Sequence, residues 1–60
     1  MIRYINAIFE GNQRETIDEF EIKNLADRKE FKRVLEEYRS AMPYAEVYPS
    51  QRACKGWKEE

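Results

Sequence analysis

Apolar side chains occupy both parities of the first nine residues: Ile2, Tyr4 and Ile8 on one, Ile5, Ala7 and Phe9 on the other. Successive strand residues point to opposite faces. The pattern therefore predicts a strand from Ile2 to Phe9 with apolar cover on both sides, central in a sheet or met by a second chain. Gly11-Asn12, at the centre of Glu10 to Gln13, predicts a two-residue hairpin, because glycine supplies the positive φ with which a type II′ turn begins. A returning strand follows, from Gln13 or Arg14 to about Ile22, and its alternation is broken: Thr16, Phe20 and Ile22 share one parity and Ile17 has the other. A bulge near Asp18-Glu19 brings Ile17 into line with Phe20 and Ile22. Glu15, Asp18, Glu19 and Glu21 suit an edge strand that must not pair with another molecule.

From Asp27 to Met42 the period changes. Phe31, Val34, Leu35, Tyr38 and Met42 fall on one stripe of a repeat of about 3.6 residues, with Ala41 at its margin, which predicts an amphipathic helix packed on the sheet. Asp27, with Glu30 three residues on, has the form of a capping box, and Asn24 is a rival cap one turn earlier with Leu25 inside the first turn. Pro43 ends the helix. Tyr44 to Tyr48 then alternates as a short third strand. Ser50 to Trp57 is expected to form one or two helical turns capped by Ser50, with Ala53, Cys54 and Trp57 as their apolar patch. With strands running up and down, the helix up and the last strand down, that strand can lie antiparallel beside the first. The expected architecture is one small α+β domain over residues 1–60. It has a three-stranded antiparallel sheet (ββαβ, order 2-1-3), the amphipathic helix on one face, a short C-terminal helical turn, and the other face open.

Sixty residues bury only about 60% of the surface of their unfolded chain, so such a fold depends on an efficient core or on self-association. Cys54 is the single cysteine, which excludes an internal disulfide and suits a reducing cytoplasm. With no histidine and one thiol, a tight metal site is not expected and no thiol–imidazole pair can form. The acidic residues of the second strand match no calcium loop. Without a nucleophile–base pair, a glycine-rich phosphate loop or a metal set, the sequence points away from an enzyme and from any cofactor.

The formal charge of −1 divides into −3 over residues 1–22 (two basic, five acidic), +1 over 23–46 (six basic, five acidic) and +1 over 47–60 (three basic, two acidic). No third is basic enough for general capture of duplex nucleic acid. No apolar run is long enough to span a bilayer, and MIRYINAIFE lacks the basic-then-apolar plan of a signal peptide.

Two candidate surfaces remain. Ile2, Tyr4 and Ile8 mark the open sheet face. The C-terminal run interleaves Tyr44, Tyr48 and Trp57 with Arg52, Lys55 and Lys58. Trp, Tyr and Arg are the enriched types of protein hot spots, so these residues are expected to meet a protein, either a second copy in a homodimer or a host protein. Trp57 has a competing role: folding back over the open face to close a monomer. On the helix, Arg28, Lys32 and Arg39 share one flank and Glu30 and Glu37 the other. That basic flank, with the aromatic tail, is the alternative nucleic-acid-binding surface.

Gly11-Asn12 before TIDEF (Thr16 to Phe20), a charged helix ending EYR (Glu37 to Arg39) and the tail SQRACKGW (Ser50 to Trp57) resemble small bacteriophage and prophage reading frames. Lys23-Asn24-Leu25-Ala26 lengthens the approach to the helix relative to that pattern. The resemblance carries no assigned activity and no functional residues. It implies a phage accessory protein that acts in the cytoplasm of a bacterial host cell by binding and modulating a host factor.

Overall fold

The computed structural model describes residues 1–57, which form β1 (Ile2–Phe9), β2 (Gln13–Glu21), α1 (Leu25–Ala41) and β3 (Glu46–Ser50). The three strands make one antiparallel sheet in the order β2-β1-β3, with the doubly apolar strand in the middle as expected. Ile5, Ala7 and Val47 of the sheet meet Ile22, Phe31 and Leu35 in the core, and Phe20 sets its ring edge-on to Phe31 at 5.5 Å.

The hairpin loop is one residue longer than the sequence suggests. Phe9 pairs with Gln13, which leaves Glu10, Gly11 and Asn12 between the strands. Asn12 N–H donates to the Phe9 carbonyl at 3.1 Å. Gly11, at φ 84°, therefore occupies the third position of a turn, where a type II geometry demands positive φ. Asn12 follows at φ 63°, in the left-handed region that asparagine tolerates.

Along β2 the register slips between Ile5, opposite Asp18, and Asn6, opposite Thr16, so Ile17 is the extra residue of a bulge. The bulge lies slightly earlier than expected and has the expected effect, since Ile17 and Phe20 both pack on the core.

The helix begins at the earlier of its two possible caps. Asn24 accepts from Asp27 N–H at 2.9 Å, and the Asp27 carboxylate returns the favour by accepting from Lys23 N–H at 3.0 Å. Asp27 is thus the third residue of the helix and not its cap. Phe31 and Leu35 are buried, and Val34, Tyr38 and Met42 are half-buried, so the stripe faces the sheet as its spacing requires. Tyr38 donates its hydroxyl to Asp18 Oδ2 at 3.0 Å. That bond, then partial burial and the nearby carboxylates of Asp18 and Glu37, raise the phenol above its ordinary pKa.

β3 starts two residues later than expected because Met42 to Ala45 closes the helix end: Met42 N–H donates to Tyr38 and Ala45 N–H to Met42. Pro49 sits within β3 opposite Ile5, which an edge strand allows to a residue with no N–H.

Past Ser50 the expected helical turn is absent. Ser50 Oγ accepts from Arg52 N–H at 3.1 Å, but a reverse turn follows, with Trp57 N–H on the Cys54 carbonyl and Gly56 at φ 94°. Positive φ at Gly56 supplies the third position of a tight turn and cannot continue a right-handed helix.

Candidate interaction surfaces

The sheet face opposite α1 is crossed by the chain itself. The register places Ile2, Tyr4, Asn6 and Ile8 of β1 on this face, beside Thr16 and Glu19 of β2 and Tyr48 of β3. Leaving β3, the backbone reaches Asn6, whose Nδ2 donates to the Arg52 carbonyl at 3.0 Å. Thr16 Oγ1 donates to Asn6 Oδ1 at 2.7 Å and accepts from Cys54 N–H at 2.7 Å. Trp57 Nε1 then donates to Glu19 Oε1 at 2.9 Å. Residues 52–57 are therefore a strap running from the β3 edge over β1 to β2. Asn6 is only 3% exposed, and among the described residues no buried side-chain polar atom lacks a partner. A polar residue amid Ile2, Tyr4 and Ile8 thus serves as the peg on which the strap is hung.

The strap thus crosses part of the face expected to be open, and Ile2 on that face stays exposed. Ile2, Tyr4, Ile8 and Tyr48 are brought together on the strap side. Arg52 and Trp57 belong to the strap through its carbonyl and its indole, and Lys55 is exposed at its turn. Tyr44 stands apart, exposed in the loop before β3 with its ring centroid 6.3 Å from that of Phe9. Lys58 lies outside the described residues.

The basic helix flank is also divided. Arg39 donates Nε to the Val47 carbonyl at 3.1 Å and Nη1 to Glu36 at 2.7 Å, tying α1 to the edge strand. Arg28 and Lys32 remain exposed. On the outer surface Arg33 bridges Glu30 and Glu37, and its hydrogen bond holds the Glu30 carboxyl below the usual range.

A second surface was not visible in the sequence. Where β1 begins, β2 ends and α1 starts, two adjoining hollows of about 260 and 340 Å³ share Met1, Ile22 and Arg28. Buried Ile22 and Phe31 form the floor, while exposed Met1, Leu25 and Pro49 form the walls. Arg3, Lys23 and Arg28 stand around them. Leu25 is 66% and Met1 55% exposed, and Ile2 is uncovered at the same end on the strap side. The available signal was Leu25, an apolar residue in the first helical turn that lies off the packing stripe.

Among the described residues no cluster of His, Cys, Asp or Glu could hold a metal ion, and no helix is long and apolar enough to cross a membrane. The fold and these surfaces define a small α+β domain: a helix-backed three-stranded sheet with a strapped second face. No protein-family model, no curated protein and no solved structure matches the chain.

Proposed function

We propose that this chain is a non-catalytic protein-binding module, an accessory protein of phage type that binds and modulates a factor of its bacterial host. The observation that carries this is the end of the molecule where Met1 and Leu25 stand exposed over buried Ile22 and Phe31. A sixty-residue domain has little apolar surface to spare, and large side chains left uncovered around a hollow are the usual mark of a contact surface. The resemblance of its segments to phage reading frames supports a host protein as partner, and a second copy of the chain is the other protein that could cover this end. Nucleic acid is the weaker alternative, because Arg39 of the basic flank is already held by Val47 and Glu36.

The test compares the wild-type chain with Leu25→Asp, which alters an exposed side chain and should leave the urea midpoint nearly unchanged. Sedimentation equilibrium at micromolar concentration reads self-association, and cross-linked co-purification from bacterial lysate reads a host partner. The expected result is a complex of either kind that Leu25→Asp releases. A wild-type chain that stays monomeric and retains no protein would refute the proposal.

A further inference from the structure

The hollow at the α1 end departs from the charge of the chain that carries it. The chain is −1 overall, yet Arg3, Lys23 and Arg28 stand around the hollow and no carboxylate of the described residues lines it. Elsewhere on α1 the arginines are matched, Arg33 by Glu30 and Glu37 and Arg39 by Glu36. Among the described residues no carboxylate lies within ion-pair distance of Arg3, Lys23 or Arg28. The closest acid in sequence, Asp27, turns Oδ2 to the Lys23 backbone N–H. The fold thus gathers three unmatched cations around an apolar floor.

We infer that this groove docks an acidic segment of a partner protein. One large apolar side chain of that segment sits over Ile22 and Phe31, and flanking carboxylates meet Arg3, Lys23 and Arg28. The inference rests on the protein-binding function proposed above and specifies the partner's chemistry. Hollows of about 260 and 340 Å³ suit one or two side chains. The walls contributed by Met1 and Leu25 are aliphatic, and Phe31 is only 7% exposed, so the groove offers no open aromatic face on which a nucleobase could stack. Apolar walls with a cationic margin complement a peptide that is apolar at one position and anionic around it.

The full chain, labelled with nitrogen-15, is titrated with a blocked peptide of about ten residues, all Asp and Glu except one central Phe. Controls are the same peptide with Ala for Phe, the same peptide with Lys for its acids, and a thymidine oligonucleotide of similar length. Amide shifts are expected at Ile22, Lys23, Leu25 and Arg28. The dissociation constant should be on the order of 100 µM, as suits a contact well below about 1,200 Å². The paired substitution Arg3→Glu with Arg28→Glu should weaken binding about tenfold or more. Arg28→Lys should retain most of it, which separates lost charge from lost structure. Unshifted amides at millimolar peptide, equal affinity for the Ala or Lys peptide, or tighter binding of the oligonucleotide to these residues would each overturn the inference. A lysate protein released by Leu25→Asp but retained by the charge-reversed chain would overturn it as well, while leaving the binding module in place.

Discussion

On the helix side of the sheet, Ile5, Ala7 and Val47 are covered by Phe31 and Leu35, side chains with no polar atoms to match. On the strap side, cover depends on Asn6 and Thr16, each of whose hydrogen bonds has one specified partner. The first kind of cover grows with area and degrades gradually when atoms are removed. The second contributes little net energy, yet it fixes one position for the strap and becomes costly as soon as one member is left unpaired. One face of the sheet is packed by a helix, and the other is crossed by a peg and a strap.

The largest expected effect lies on the helix side. Leu35→Ala should cost about 2–5 kcal/mol, a large part of the stability of so small a domain, and urea unfolding should show the lowered midpoint. An unchanged midpoint would mean that the helix contributes less than its burial implies.

Asn6→Leu tests the other face. It removes the donor to the Arg52 carbonyl and the acceptor of the Thr16 hydroxyl proton, leaving Thr16 Oγ1 only the Cys54 N–H, at a cost of about 1–3 kcal/mol. It should also loosen the strap, read as a red shift and greater quenching of the fluorescence of Trp57, the only tryptophan. Combined with Thr16→Val it should cost less than the sum of the two singles, since both break one network. Strict additivity would show that the two residues do not act as a unit.

Gly11→Val is a control that should lower both faces together. It forces a β-branched residue to positive φ at a cost of about 1–3 kcal/mol, although the space around Gly11 is open. Denaturation curves from Trp57 fluorescence and from far-ultraviolet circular dichroism should therefore move in step. Curves that separate would mean that strap and core melt independently.

The smallest effect concerns the polar link from Tyr38 of the helix to Asp18 of the sheet. Because the Tyr38 phenol is raised in the folded state, its contribution is present below the unfolded value near 10 and is lost as pH rises through the folded value. Tyr38→Phe should cost about 1 kcal/mol near neutrality and flatten the fall in stability above that pH, measured by urea midpoints across the alkaline range.

Legibility in the sequence followed the kind of interaction. The helix stripe, the strand order and the bulge are periodic features, and Phe31, Leu35, the two parities of β1 and the misplaced Ile17 each declare their side of the sheet. The cap was ambiguous because Asn24-Asp27 and Asp27-Glu30 share one spacing, and only the length of the preceding turn chooses between them. The strap was hidden. Asn6 looks like an interruption of its strand and Thr16 like a neighbour of Phe20 and Ile22 on one face, until the bulge sets the two side by side, and Arg52 contributes a carbonyl, which no residue type announces. The groove was hidden for a related reason, since Met1, Ile22 and Leu25 come from three separate segments.

The central position of β1 also orders events in time. Asn6 pairs with Thr16, 10 residues on (16 − 6), and with Tyr48, 42 residues on (48 − 6). Closing the longer loop costs about 1.3 kcal/mol more in chain entropy, so the hairpin can assemble first, while the β3 side of β1 waits for the helix to bring the last strand back. The strap must come later still, because it docks on a side-chain pair that the hairpin has to align beforehand. The reverse order governs opening, with hydrogen exchange expected to be faster at the Cys54 amide than in the sheet at Ala7. The native state's first excursion then frees Asn6 and Thr16 while the core stays shut, so a passing chain meets a sheet face before it can meet a broken fold.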